Sequence, residues 1–299
     1  MVELHLISTF LEIAKSKKLN VVAKKFNITQ PALSYRIKML EAQVGKNLFF
    51  RKKSGLELNG FGKELLAICR NLNRDVEKID NWVSSREGTV SGNLVVSTIP
   101  GLSSVFLPKF LKVFLKKYPD IKLSLWPKVS AFVEEDVYSD SADIGIIVGP
   151  CQRCSLKVQT LMLNEAFVMV CSPNYYKKFK KLIDTKNYEE LTIIWPTSRD
   201  SRSIKKICKQ LNFNDPDELG TIYVNDLLTC KEYALNHLGI AFTGNMYVRK
   251  ELEKGTLIKL PNFKYEYDIC IISRNEKYEA PIKKAFKKEL VEFASSFDG

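Results

Sequence analysis

Apolar positions near the N-terminus recur with a helical spacing. Positions i, i+3, i+4 and i+7 of the first predicted helix are apolar, which indicates one buried stripe: Ile7, Phe10, Leu11 and Ala14. A second short helix is predicted over 21–26, followed by a turn at 27–28. Thr29 is the predicted N-cap of a third helix, with Pro31 in its first turn.

The third helix has two distinct faces. One is apolar, with spacings of 4, 3 and 4: Leu33, Ile37, Leu40 and Val44. The opposite face carries Pro31, Ser34, Tyr35 and Lys38, and Gly45 ends the helix. A basic, glycine-containing turn over 51–55 then separates two short extended segments. This order predicts a winged helix-turn-helix, whose outward polar side chains suit the DNA major groove.

The apolar spacing over residues 60–87 predicts a long helix with one apolar seam. Its members step by 4, 3, 4, 3 and 4 residues: Leu65, Cys69, Leu72, Val76, Ile79 and Val83. We expect this seam to pair two chains. Packing on the protein's own core is the alternative. A hinge is predicted over 84–92.

Beyond residue 92, predicted strands alternate with predicted helices, which indicates an α/β domain with mostly parallel strands. The predicted strands are 93–98, 121–125, 143–148, 167–171, 191–195, 221–224, 239–242 and 268–273. The predicted helices are 105–117, 130–138, 174–179, 203–211, 226–237, 246–253 and 281–297.

The length of the chain indicates how many domains it has, and its charge indicates what class of partner it binds. The 299 residues suggest two domains, and the net charge is +12. Residues 1–90 hold 16 of the 46 basic and 9 of the 34 acidic residues, so more than half of the excess lies there. This favours contact with a polyanion, although a lysine-rich solvated surface is the alternative. No apolar run predicts a membrane helix, and no secretory signal is recognisable, so we expect a cytoplasmic protein.

Candidate catalytic and metal chemistry is sparse. The two histidines, His5 and His237, fit no triad, and no phosphate-binding or nucleophile-elbow motif occurs. We therefore expect neither an enzyme nor a metal site. Cys151 and Cys154 form a CxxC beside Arg153, which permits a disulfide, but two unpartnered loop cysteines are the favoured interpretation.

Several stretches together resemble the LysR-type transcriptional regulators. In the N-terminal block these are residues 23–41 (AKKFNITQPALSYRIKMLE), 45–51 (GKNLFFR) and 58–62 (LNGFG). In the second half they are GNL at 92–94, LP at 107–108, YPD at 118–120, ADIGI at 142–146 and LGIA at 238–241. Asn59 departs from the usual threonine of the family, but it can still cap the helix that follows.

The resemblance implies three parts. Residues 1–59 would be the DNA-binding domain, 60–88 the dimerisation helix and 89–299 the effector-binding domain. The latter would comprise two subdomains resembling periplasmic binding proteins, subdomain I at about 92–162 and 268–299 and subdomain II at about 163–267. The implied partners are double-stranded promoter DNA, a small-molecule effector, RNA polymerase and further copies of the chain in a dimer or tetramer, with no other cofactor and no membrane.

Two groups of site residues follow. The expected DNA contacts are Thr29, Gln30, Pro31, Ser34, Tyr35, Arg36, Lys38, Arg51, Lys52 and Lys53. Arg36 and the three wing residues are expected at phosphates, and the candidates for the groove are Gln30, Ser34, Tyr35 and Lys38. The resemblance places the effector against Thr98, Ile99, Pro100, Gly101, Ser103, Val148, Gly149, Thr197, Ser198, Arg199 and Arg202. Either arginine suits a carboxylate, but a surface role is equally open, and Ile99 favours a partly apolar ligand.

Two other classes of protein would account for less of the sequence. A solute-binding module would account for residues 92–299 and leave the N-terminal motif without a use. An enzyme on an α/β scaffold lacks a catalytic constellation.

Overall fold

The computed structural model describes residues 3–16, 18–52, 55–66, 68–69, 72, 79, 90–196, 209, 222–224, 226–261, 263 and 265–297. The chain divides into two compact units, Met1–Glu87 and Gly88–Gly299. Each unit is described by itself below.

The described part of the N-terminal unit contains three helices and a two-stranded wing, as the apolar pattern predicted, and residues 60–66 are helical as well. Its elements are α1 (Leu4–Ser16), α2 (Leu19–Lys25), α3 (Gln30–Val44), β1 (Phe49–Lys52) and β2 (Gly55–Leu58). β1 and β2 pair antiparallel. The three helices enclose one core in which Phe10, Leu33 and Leu40 are at most 1% exposed. Three of the four predicted positions of each stripe are confirmed as buried, whereas Ala14 on α1 and Val44 on α3 are half-buried.

Local hydrogen bonds fix the ends of α3. The Thr29 hydroxyl accepts a hydrogen bond from the Ala32 N–H at 3.3 Å, which confirms the predicted N-cap. At the other end, Gly45 adopts a φ of 74°, a left-handed conformation that glycine adopts without steric cost. Together these two residues set the length of the helix that presents the predicted DNA-binding face.

The second unit contains a mixed α/β fold. Its helices are α4 (Pro100–Val105), α5 (Leu107–Lys117), α6 (Ser130–Tyr138), α7 (Pro173–Asp184), α8 (Leu227–Leu235), α9 (Asn245–Glu253) and α10 (Pro281–Ser295), with a 3-10 turn at Tyr188–Glu190. Its strands are β3 (Gly92–Thr98), β4 (Ile121–Pro127), β5 (Ile144–Val148), β6 (Leu156–Cys171), β7 (Ile193–Pro196), β8 (Ile222–Val224), β9 (Ile240–Gly244), β10 (Ile258–Lys259) and β11 (Tyr265–Arg274).

One sheet links both halves of this unit, in the order β4-β3-β5-β11-β6-β9-β7-β8, with β10 added beside β6. Pairs at the two ends of the order are parallel: β3 with β4 and β5, and β7 with β8 and β9. The central strands β6 and β11 pair antiparallel with each other and with their other neighbours. The expectation of mostly parallel strands is therefore wrong for the middle of the sheet, because β6 carries the chain into the second half and β11 brings it back.

Two predicted elements differ from the observed ones. The helix expected at 105–117 is α5, which begins at Leu107, and a separate helix that was not expected, α4, precedes it and ends at Val105. Pro108 lacks the amide hydrogen that would continue the first helix, so it starts a new one. The strand expected at 167–171 extends back to Leu156, because β11 pairs with it from Leu156 to Phe167. The helix expected at 203–211 lies outside the described residues except for position 209.

The largest core cluster of this unit joins residues from both halves. Val96, Ile146 and Phe286 lie beneath the β3–β5 side, and Met246 and Tyr247 of α9 pack in the same cluster. A separate cluster around Trp195 and Phe242 lies under the β7–β9 side. In the described part of the chain, none of the helices combines the length and the apolar character needed to cross a membrane.

Candidate DNA-binding and effector sites

The outer face of α3 presents most of the predicted groove residues. Gln30, Pro31, Tyr35 and Lys38 are exposed together with the capping residue Thr29, and Ser34 is half-buried. Tyr35 is 63% exposed, whereas Leu33 two residues earlier is fully buried. This helix therefore holds its polar and aromatic side chains outward from a rigid apolar base, as a major-groove reader requires.

Arg36 does not share that orientation. It is half-buried, and its Nη1 atom lies 3.5 Å from the hydroxyl of Thr9 on α1, a residue that is 1% exposed. This geometry ties α3 to α1 and gives Arg36 a structural partner within the domain. Of the other expected phosphate contacts, Arg51 and Lys52 lie on β1 and Lys53 lies outside the described residues.

The predicted dimerisation seam divides into two parts. Leu65 and Cys69 pack in the core of the winged domain, and Cys69 is only 2% exposed. Burial also raises the pKa of the Cys69 thiol. Leu72 and Ile79 are 36% and 60% exposed. Val76 and Val83 lie outside the described residues. The first part of the seam is therefore used within the chain.

A neighbouring set of exposed residues was missed by the sequence reasoning. Phe61 is 50% and Ile68 67% exposed, and both lie on helical residues before Leu72. Successive members of the exposed face lie seven, four and seven residues apart: Phe61, Ile68, Leu72 and Ile79. We call these four residues the exposed stripe. The seven-residue step from Phe61 to Ile68 was readable in the sequence, but only burial shows that Cys69 points the other way.

The expected effector residues of subdomain I meet at the carboxyl ends of β3 and β5, where ligands of parallel α/β sheets bind. Thr98 ends β3 and is fully buried, and its hydroxyl has no hydrogen-bond partner among the described residues. Ile99 is the N-cap of α4, and Gly149 donates its N–H to the Asp268 carbonyl at 2.8 Å. The hydroxyl of Ser103 donates to the Pro100 carbonyl at 2.9 Å, so α4 itself uses that group.

The four remaining expected effector residues lie outside the described residues: Thr197, Ser198, Arg199 and Arg202. The strand that precedes them is β7, where Trp195 is 1% exposed and its indole N–H has no partner among the described residues.

Tyr247, which belongs to no sequence motif, packs against the start of α4. An ideal Cβ built on Gly101 would lie 2.2 Å from Cζ of Tyr247, so the tyrosine ring fills the space where a side chain would be. Burial, with a smaller contribution from Glu165, raises the pKa of Tyr247. Glu165 itself lies 3.7 Å from Arg249, and burial raises the pKa of its carboxyl group.

The two crossing strands also contain an irregular point. Asn164 on β6 has a positive φ of 55°, and its N–H donates to Oδ1 of Asp268 on β11 at 3.2 Å. The pairing register shifts between Tyr267 and Ile269. The subdomain boundaries expected at about 162 and 268 fall within these two strands.

The CxxC segment places Arg153 between two cysteines that form no disulfide. Burial raises the pKa of Cys151, and the guanidinium of Arg153 is bound to Glu135 and stacked over the Tyr138 ring at 4.2 Å. The side chain of Arg153 is therefore engaged by two residues of α6, Glu135 and Tyr138. All the described cysteines are free thiols, and the described residues contain no group of three or more metal-ligating side chains.

Two family models match the chain along nearly its whole length. The LysR substrate binding domain matches residues 87–295, and the bacterial regulatory helix-turn-helix protein, lysR family, matches residues 4–63. The chain belongs to the LysR family and is a LysR-type transcriptional regulator, with a DNA-binding helix-turn-helix domain and an effector-binding domain.

Individual relatives agree with this assignment. YkuM of Bacillus subtilis, an uncharacterized HTH-type transcriptional regulator, is 24% identical over 95% of this chain and 94% of its own. The transcriptional regulator AlsR of B. subtilis is 30% identical over 53% of this chain and 52% of its own. Full-length CbnR complexed with its target DNA shares the fold with a TM-score of 0.68, at 16% identity, over 98% of this chain and 100% of its own. CrgA of Neisseria meningitidis gives a TM-score of 0.61 at 18% identity, over 98% of this chain and 99% of its own.

Proposed function

We propose that this regulator binds an operator with the outer face of α3 as a homo-oligomer, and changes that binding when a small molecule enters the cleft at the ends of β3 and β5. DNA binding through α3 is supported by the contrast between the two faces of this helix. Its inner face is fixed by Leu33 and Leu40, whereas Tyr35 and its neighbours are exposed on the outer face.

The ligand chemistry follows from the described cleft residues. Thr98 offers a buried hydroxyl that has no hydrogen-bond partner among the described residues, and Ile99 and Leu102 supply apolar surface that is at most 8% exposed. A hydrogen bond to the Thr98 hydroxyl would satisfy a group whose burial is otherwise costly. The effector is therefore a partly apolar molecule with at least one polar group, and no further cofactor is required.

The regulator would bind DNA as a dimer or tetramer. Two recognition helices on one dimer would bind the two halves of an inverted repeat, and a tetramer would bind two such repeats. The exposed stripe provides the apolar surface for pairing, because four large side chains lie exposed at helical spacing. RNA polymerase is the partner through which such a regulator acts, and the cytoplasm is where both DNA and polymerase are found.

The deciding experiment is a gel shift with the DNA immediately upstream of this protein's own gene, run with non-specific competitor at two salt concentrations. We expect a discrete complex that resists competitor and weakens as salt rises, because phosphate contacts release counterions. Fragments selected from the whole genome extend the test to operators elsewhere. Failure to enrich any sequence would contradict sequence-specific binding.

A further inference from the structure

Tyr247 lies where the two halves of the effector domain meet. It belongs to the first turn of α9, and only 3% of the residue is exposed. It belongs to the same core cluster as Ile99 and Leu102, which lie in the opposite half. The tyrosine therefore bridges subdomain II and the start of α4.

Two glycines leave room for its ring. A Cβ atom on Gly101 would lie 2.2 Å from Tyr247 Cζ and 2.4 Å from its hydroxyl oxygen. A Cβ atom on Gly244 would lie 2.8 Å from Tyr247 Cε2 and 3.0 Å from the hydroxyl oxygen of Tyr267. The ring thus occupies a flat slot with one glycine contributed by each half of the domain.

The backbone alone does not explain glycine at position 101. Its φ lies outside the left-handed region, and it belongs to the first turn of α4. Alanine is favoured over glycine inside helices by up to about 1 kcal/mol. The space taken by the Tyr247 ring is the feature of the structure that requires glycine here.

We infer that Tyr247 is an internal occupant of the effector cleft, and that the effector is a planar, partly apolar molecule that takes its place against Gly101. The inference rests on the proposed function, because it takes the cleft at the end of β3 as the effector site. Thr98 lies three residues before Gly101, and its buried hydroxyl makes no hydrogen bond to the tyrosine. An effector with a polar group gains a bond there that Tyr247 does not make.

The crossing strands provide a point about which the slot opens. Asp268 accepts the Asn164 N–H with its side chain and the Gly149 N–H with its carbonyl. Small backbone rotations at this point separate α9 from α4 while most of the β6–β11 pairing stays intact. Displacement of Tyr247 is thereby coupled to the relative position of the two subdomains.

Hydrogen exchange of the full-length protein tests the contact. Tyr247→Ala is expected to raise the exchange rates of peptides covering Pro100–Val105 at least about tenfold, whereas Tyr247→Phe leaves them unchanged. Tyr188→Ala is the matched control, because Tyr188 is also buried in the second half but packs in the cluster around Trp195. Unchanged exchange of the α4 peptides in folded Tyr247→Ala would overturn the inference.

A double-mutant cycle tests the slot itself. Gly101→Ala is expected to raise α4 exchange in the wild-type background and to have no such effect in the Tyr247→Ala background. Equal effects in both backgrounds would show that Gly101 does not accommodate the ring.

Ligand shape is tested with p-cresol, which has the outline of the removed side chain. We expect millimolar p-cresol to restore α4 protection in Tyr247→Ala and not to raise it in Tyr188→Ala. No restoration would contradict a slot for planar ligands. None of these measurements uses DNA, so a failure of operator binding would count against the proposed function alone.

Discussion

Asn59 connects the wing to the helical residues that follow it. Its side-chain Oδ1 atom accepts the Gly62 N–H at 2.8 Å, and its Nδ2 atom donates to the Asn47 carbonyl at 2.6 Å. One side chain therefore caps a helix and holds the segment before β1. The expectation that asparagine serves as the cap at this position is confirmed.

We expect Asn59→Ala to lower the free energy of unfolding by about 1 kcal/mol, because the N-cap is lost. Asn59→Asp retains the acceptor and is the matched control. Urea unfolding followed by circular dichroism measures both. Equal midpoints for wild type and Asn59→Ala would show that the cap contributes no stability.

The outer face of α3 is tested by Tyr35→Ala and Ser34→Arg. We expect each to abolish the operator shift, because one removes an exposed aromatic contact and the other places a long side chain against the groove. Tyr278→Ala is the control, since Tyr278 is 49% exposed in the effector domain. Gel filtration should show an unchanged oligomer. Retained operator shifts in both variants would mean that another face of α3 meets DNA.

Ile68 and Cys69 are adjacent but have opposite environments. Ile68→Glu should weaken self-association at least about tenfold, because it places a charge in the exposed stripe. Cys69→Ala should leave the assembly intact and lower stability by about 1 kcal/mol, because it removes buried volume. Sedimentation equilibrium distinguishes the two. If Cys69→Ala dissociated the protein and Ile68→Glu did not, the seam predicted from the sequence would be the interface.

Lys283 on α10 is a buried cation between two acids. Its Nζ atom lies 3.4 Å from Asp143 Oδ1 and 3.3 Å from Glu276 Oε2, and its side chain is 5% exposed. We expect Lys283→Ala to cost about 2 kcal/mol, because the half-buried Asp143 loses its cation, whereas Glu276 keeps its pair with Arg274. Lys288→Ala on the same helix should cost less than about 0.5 kcal/mol, since its pair with Glu292 is exposed. Thermal unfolding compares them, and equal losses would contradict this account.

Thiol accessibility differs sharply among the cysteines of the effector domain. Cys154 is exposed, whereas Cys171 and Cys230 are fully buried and their pKa values are raised to about 12 by burial. Iodoacetamide at neutral pH should modify Cys154 in the native protein and the other two only after unfolding. Peptide mapping by mass spectrometry checks this. Rapid native modification of Cys230 would show that α8 opens readily.

The sequence was most informative where one local interaction decides the structure. Thr29 and Gly45 fix the ends of α3, and each acts through its own side chain or its own φ, so both were predictable. The apolar spacing of α1 and α3 likewise reports which side faces the core.

Features that depend on distant partners were not predictable. From its spacing alone, Cys69 could face either a second chain or the core of its own domain. Only its packing against the winged core shows that it faces the core. The extension of β6 back to Leu156 depends on pairing with β11 far along the chain. Tyr247 belongs to no motif, and its position against Gly101 arises only when the two halves of the domain meet.

The placement of β11 between β5 and β6 has a consequence for synthesis on the ribosome. Strands β3 to β6 emerge before it, so the nascent chain exposes unpaired edges on β5 and β6 until the segment Tyr265–Arg274 has been translated. Exposed edges of this kind are templates for pairing with other chains. The effector domain is therefore prone to aggregate during translation until β11 has been made. A chaperone that shields strand edges would improve its yield.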